Sequence, residues 1–340
     1  MFKRLFVYIL LLVICGLFIF NYLKYKELSS QTSSYHQLSK PQLMIGFRGT
    51  AVSENIFEET KSLIESAQVR GLIFFDRNIV NKQQLSSFIK NIRSIKNGTE
   101  LLLAIDEEGG LVSRLSSGGV FPNIAPAEDI GSKMSLNKAR QLFLQRAIFL
   151  KDMGFDLNFA PVVDVAVNST NSVIVGSKRS YSASPNLVIA YAKQFIKAHR
   201  SNGIMTVIKH YPGHGSSKSD SHKGFTDITE TFISDELRPY QQLIAENMVD
   251  GVMVGHLFDR RVDSEYPASI SSKHVSDNLR AIQGFRGLVF TDDLQMGAIA
   301  KNYDLVEATK LAIASGSDVM MFANFYKLSK VVKSKILSLF

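Results

Sequence analysis

A chain of 340 residues with 45% hydrophobic content can bury one large core or two ordinary ones. Its 39 basic and 31 acidic residues are well mixed, which excludes a disordered charged tail, and the net charge of +8 suits an anionic partner. With no Lys/Arg-rich run and no RNA-binding signature, nucleic acid fits worse than an anionic membrane face or a carboxylate-bearing polymer, and no nucleic-acid partner is expected.

In chain order, the first feature is Leu5 to Leu23, an uncharged run made almost entirely of Leu, Ile, Val and Phe. It matches the ~20 residues that a helix needs to cross a bilayer. Lys3 and Arg4 precede it and Lys24 and Lys26 follow, a mild preference for a cytoplasmic N-terminus. A cleaved signal would have a shorter apolar core and a small-residue cleavage site, and none is visible near Tyr22–Ser30. Cys15 is the only cysteine, and Ile14 stands where a lipoprotein signal needs a small residue. The folded part therefore has neither an internal disulfide nor a catalytic thiol. Residues 1–28 are expected to be an uncleaved membrane anchor, 29–41 a polar linker rich in Ser and Gln, and 42–340 one folded domain.

Within that domain, apolar runs recur at Leu43–Phe47, Gly71–Phe75, Leu101–Ile105, Leu157–Pro161, Ile204–Ile208, Gly251–Gly255, Gly287–Thr291 and Val319–Ala323. They lack strict alternation, as parallel strands covered on both faces do. Amphipathic helical patterns lie between them, at Glu54–Gln68, Lys82–Ile95, Asn137–Met153, Pro185–Ser201 and Asp235–Asn247. Eight such units in roughly 300 residues predict an α/β fold of the (β/α)8 TIM-like barrel type, in preference to a doubly wound open sheet.

Barrel active sites are built at the carboxyl ends of the strands. There Asp106 follows the third run, Asp164 lies past the fourth, Lys209 and His210 follow the fifth, His256 the sixth, and Asp292 and Asp293 the seventh. Asp106 leaves an apolar strand directly into the rim, and with Arg114 in reach it suits hydroxyl binding. The neighbouring Glu107 and Glu108 are covered by a plainer reading, an acidic turn before Gly109 and Gly110. Asp293 likewise suits the opening of the next helix. Lys209 to His222 holds His210, His214, His222 and Asp220 among Pro, Gly and Ser, and so forms a loop. It lacks the Gly-Lys pair of a phosphate-binding loop and the regular spacing of zinc ligands on a helix. Metal binding and proton transfer by an Asp220-oriented His222 stay open on spacing alone.

The segments Ile105–Gly110, Asn158–Val162, Lys209–Gly215, Asp220–His222 and Thr291–Leu294 closely resemble glycoside hydrolase family 3. The likeness is greatest to its bacterial single-domain β-N-acetylglucosaminidases of peptidoglycan turnover. It extends from about Leu43 to Ala323, with the Asp-x-His spacing after Lys-His its most specific part. Tyr211 stands where a Phe is often seen. The resemblance implies that Asp292 is the nucleophile of a retaining reaction and that His222, oriented by Asp220, is the acid/base. It implies that Asp106, Arg114, Arg179, Lys209 and His210 hold the sugar, with no metal and no cofactor. The acid/base is expected from the barrel itself, whereas β-glucosidases of the family take it from a second domain. The implied substrate is a peptidoglycan-derived saccharide with terminal β-linked N-acetylglucosamine; the apolar run Leu5–Leu23, not a feature of the family's cytoplasmic members, places the expected catalytic domain outside the bacterial inner membrane. A family 3 β-glucosidase or phosphorylase and a non-catalytic, membrane-tethered glycan-binding protein are the competing expectations.

Overall fold

The apolar runs become eight parallel strands that close on themselves: β1 (Gln42–Gly46), β2 (Gly71–Phe74), β3 (Leu102–Ile105), β4 (Leu157–Asn158), β5 (Met205–Tyr211), β6 (Gly251–Val254), β7 (Leu288–Asp293) and β8 (Val319–Phe322). Each pairs with its sequence neighbours, and β8 pairs with β1 to complete the barrel. The computed structural model describes residues 37–340 apart from Gly118; the expected anchor at 1–28 and residues 29–36 of the linker lie outside the described residues. Among the described residues no helix is long and apolar enough to cross a membrane. The backbone N–H groups of Gln37 and Leu38 donate to the Arg286 carbonyl and to Asp318, just before β7 and β8, at the strand N-termini.

A helix follows every strand: α1 (Glu58–Glu65), α2 (Lys82–Ser94), α3 (Leu136–Met153), α4 (Pro185–Arg200), α5 (Arg238–Ala245), α6 (Lys273–Ile282, wound in the wider π form), α7 (Leu305–Ala314) and α8 (Lys330–Leu337). Local chemistry sets their ends. Asn81, Ser135, Asp304 and Ser329 accept backbone N–H bonds at the starts of α2, α3, α7 and α8. Pro185 opens α4, and Gly154 closes α3 at φ +95°, where a side chain would strain the backbone. Helix α4 then buries Val188, Ile189, Ala192, Phe195, Ile196 and His199 on one face, the 3–4 spacing of its apolar residues. Truncating a core phenylalanine such as Phe195 to Ala would cost about 3–5 kcal/mol.

Inside the barrel, Met44, Ile73, Leu157, Phe159, Met205, Val207, Met253, Leu288, Phe290 and Met321 fill the lumen. It is a packed core, so any cavity must lie above it, at the strand ends.

Two strands run further than their hydrophobicity predicts. Strand β5 continues past Ile208 through Lys209 and His210 to Tyr211, which pairs with Val254 after an irregular step. Strand β7 continues past Thr291 to Asp293, which pairs with Met321. Lys209, His210, Asp292 and Asp293 therefore belong to strands rather than to the loops after them.

Candidate active site

The wall of the site begins at β3. After Asp106 the chain forms a small antiparallel hairpin, Glu107–Gly109 with Val112–Ser113. Asn158 of β4 clamps its base: Glu107 N–H donates to Asn158 Oδ1 (3.0 Å), and Asn158 Nδ2 donates back to the Glu107 carbonyl (3.1 Å). Successive side chains of extended backbone face opposite ways. Glu107 therefore turns away from the rim to Arg146 of α3 (2.8 Å) and accepts from the Ser113 hydroxyl and the Leu115 N–H. Asp106 and Glu108 face the cavity. The plain acidic turn expected at Glu107 and Glu108 is thus corrected: the two residues form a hairpin strand and both carboxylates are buried, because each has a cation supplied by a distant segment.

Glu108 is the residue that sequence reasoning missed. Arg179, from the long segment between β4 and α4, donates to both its oxygens through Nε and Nη2 (2.8 Å each). Lys209 Nζ stands 2.7 Å from Glu108 and donates to Asp106, also at 2.7 Å, while Arg114 lies 3.6 Å from Asp106. Burial alone would raise the Glu108 carboxyl, but Arg179 and Lys209 hold it well below the usual carboxylate range. Burial opposes the charge of Lys209 too, and Asp106 and Glu108 more than offset it, so its ammonium loses its proton less readily than usual. Period-two alternation after β3 was a signal for Glu108, since it puts residues 106 and 108 on one side.

Beneath this network Asp164 organises the histidines. His210 Nδ1–H donates to Asp164 Oδ2 (2.8 Å), and the backbone N–H groups of His210 and His214 donate to its Oδ1 (3.2 and 2.8 Å). His210 Nε2 is left 3.3 Å from Arg179. The loop that follows separates its two histidines. His214 is buried between Ser217 Oγ (2.7 Å) and Ser221 Oγ (3.1 Å), and burial pushes it down to about 4. His222 is exposed at the cavity edge, and both its Nδ1–H and its backbone N–H donate to Asp220 Oδ1 (2.9 Å each). Among the described residues no group of three or more His, Cys, Asp or Glu side chains is arranged to hold a metal ion.

Opposite this wall, β7 presents Asp292 to the cavity. Burial raises a carboxyl there, yet the imidazoles of His256, His210 and His222 together hold Asp292 below its ordinary value. Asp293 does not open a helix as expected. Its Oδ1 accepts from Gln295 and Ala323 (3.0 Å each), tying β7 to the end of β8, and burial pushes its carboxyl up to about 6. His256 Nε2–H donates to the Asp293 carbonyl (2.8 Å) while Nδ1 accepts from Ser269 (2.6 Å), a tautomer fixed from both sides.

The result is one cavity of about 500 Å³ at the strand C-termini, floored by Ile73, Met253 and Met321. Asp106, Arg114, Arg179, Lys209, His210, Asp220, His222 and Asp292, all singled out from sequence, line it together. A sugar-sized pocket with an apolar floor, charged walls and an ionised carboxylate opposite an Asp–His pair is equipped for glycosyl transfer.

The model of the glycosyl hydrolase family 3 N-terminal domain matches residues 32–339. The chain belongs to glycosyl hydrolase family 3. A β-hexosaminidase of Shewanella frigidimarina is 37% identical to this family 3 hydrolase over 83% of its chain and 82% of the relative. A solved family 3 β-N-acetylglucosaminidase from Paenibacillus sp. superposes with a TM-score of 0.78 at 28% identity, over 87% of this chain; the chain spans about half, 55%, of that enzyme. NagZ from Neisseria gonorrhoeae, solved with N-trifluoroacetyl-D-glucosamine, superposes with a TM-score of 0.74 at 26% identity, over 88% of the family 3 chain described here and 85% of its own.

Proposed function

We propose that this family 3 hydrolase removes terminal, non-reducing β-linked N-acetylglucosamine from peptidoglycan fragments, with retention of configuration. The observation that carries the reading is the meeting of Asp292 and the Asp220–His222 pair in a single sugar-sized cavity. The names of the relatives, and the N-acylated glucosamine in the Neisseria protein, support the sugar.

In this mechanism Asp292, ionised at neutral pH, attacks the anomeric carbon. His222 donates a proton to the departing oxygen. Its Nδ1–H is committed to Asp220, so Nε2 is the nitrogen that transfers the proton. The covalent glycosyl-enzyme is then opened by water, with the same imidazole acting as base. Asp106, Arg114, Lys209, Arg179 and His210 hold the hydroxyls, and their mutual ion pairs fix them before substrate arrives. The apolar run Leu5–Leu23 supports a membrane anchor at residues 1–28 and a catalytic domain outside the inner membrane.

The test is trapping with a slow, fluorine-substituted N-acetylglucosaminide, followed by intact mass and peptide mapping. One added sugar on Asp292 is the expected result. Labelling elsewhere, or hydrolysis of aryl β-glucoside as fast as of the N-acetylglucosaminide, would sink the assignment.

A further inference from the structure

The loop that carries Asp220 and His222 is fastened at a place that neither catalytic group explains. Three consecutive carbonyls of the loop rest on the short helical turn that follows β7. Ala298 N–H donates to the Ser221 carbonyl and Gly297 N–H to the His222 carbonyl, at 3.1 Å each, and Lys301 Nζ donates to the Lys223 carbonyl at 2.7 Å. Gly297 lies directly beneath. A Cβ added there would stand 2.8 Å from the His222 oxygen and 2.9 Å from the Lys223 oxygen, closer than real side chains approach. The platform itself is firm, because Leu294 and Ile299 are buried in the core and Leu294 N–H is bonded to the Met321 carbonyl. Asp292 begins this same stretch of chain, five residues before Gly297.

We infer that Gly297 and Lys301 are positioning residues, which set where the acid/base stands relative to the nucleophile by docking the His222 loop onto the Asp292 segment. The inference rests on the reading of His222 as acid/base. His222 is exposed, and Asp220, to which its imidazole donates, travels with the same loop, so the docked carbonyls, together with the Ser221–His214 hydrogen bond, tie the pair to the barrel. Only glycine lets the loop backbone come this close, and the three bonds hold it at that distance.

The experiment compares two substrates of the full-length protein, phenyl and 2,4-dinitrophenyl β-N-acetylglucosaminide. Phenolate needs a proton to leave and dinitrophenolate does not, so misplacing the acid harms the first substrate selectively. His222→Ala sets the benchmark. Gly297→Ala is expected to lower kcat/KM for the phenyl glycoside about 10–100-fold and for the dinitrophenyl glycoside less than about threefold. Azide, which attacks a glycosyl-enzyme without needing a base, is expected to accelerate dinitrophenyl turnover by Gly297→Ala and not by the unaltered enzyme. Lys301→Met, at the surface and harmless to folding, is expected to show the same leaving-group selectivity at about threefold, with Lys301→Arg restoring it. Equal losses on both substrates, or unaltered values for both Gly297→Ala and Lys301→Met, overturn the inference; if Gly297→Ala does not fold, Lys301→Met decides it. If His222→Ala itself lacks selectivity, the acid/base reading fails and takes this inference with it.

Discussion

The two sides of the pocket are built on opposite principles. On the side proposed to grip the sugar, Glu108, Lys209 and Arg179 have side chains only 7%, 3% and 10% exposed, and each is held by at least two charged or hydrogen-bonding partners. On the side proposed to transfer the proton, His222 is 60% exposed and the adjoining Lys223 84%. Glu108 and Lys209 of the first wall stand on strands, where backbone pairing leaves little freedom, and hold Arg179 from the long β4–α4 segment; the second wall hangs on a loop. Binding a fixed set of hydroxyls rewards preorganisation. An acid/base must serve a departing aglycone and then an arriving water, and a loop-borne group reaches both.

The largest expected effect breaks both sides at once. Asp292→Ala should lower kcat by about 10⁵-fold or more, roughly 7 kcal/mol of barrier, on every substrate, read from initial rates. A residual rate above a hundredth of the original would remove Asp292 from its role. Next, His222→Ala should cost about 10²–10⁴-fold with poor leaving groups, roughly 3–5 kcal/mol, and leave the melting temperature nearly unchanged because its side chain supports no core. Glu108→Ala should do the reverse to stability. It takes from Arg179 its bidentate carboxylate and leaves Lys209 with Asp106 alone, at about 3–5 kcal/mol of unfolding free energy in urea melts. A melting curve like that of the unaltered protein would mean that water, not Glu108, balances those charges.

Most of the barrel was legible because its signal is local: eight short apolar runs with amphipathic stretches between them. The ends of β5 and β7 were not, since Lys209, His210, Asp292 and Asp293 are polar for the sake of the cavity and so read as loop. Asp106 was legible as a polar residue leaving an apolar strand. Glu108 was hidden because its partner Arg179 is 71 residues away, and no local pattern links an acidic hairpin to an arginine in a long connection. Arg179 itself came only from family resemblance. The split among His210, His214 and His222 also needed three dimensions, because it depends on whose ring meets Asp164, Ser217 or Asp220.

The smallest expected effect tests how the His222 side is rooted. Glu236 lies under the foot of the His222 loop, where its Oε2 accepts from Ser216 N–H (3.1 Å) and a Cβ on Gly213 would stand 2.8 Å from its own Cβ. Its Oε1 has no partner among the described residues. Burial is the main cause that pushes this carboxyl up to about 7 from 4.5; the Ser216 bonds lower it, and nearby Asp164 raises it. Between about pH 4.5 and 7 the folded protein therefore keeps a proton that the unfolded chain has released. Folding takes up that proton, so this group's contribution is greatest below pH 4.5, declines as pH rises to about 7, and is level above. The full decline is about 3 kcal/mol. Glu236→Gln cannot ionise and should lack it, so the variant's stability relative to the unaltered protein should rise between pH 5 and 8 in urea melts. Asp293, also raised, titrates in both proteins and cancels from the difference. Parallel stability curves for the two would show that Glu236 ionises as readily in the folded protein as in the unfolded chain, so that burial at the loop's foot imposes no penalty on its charge.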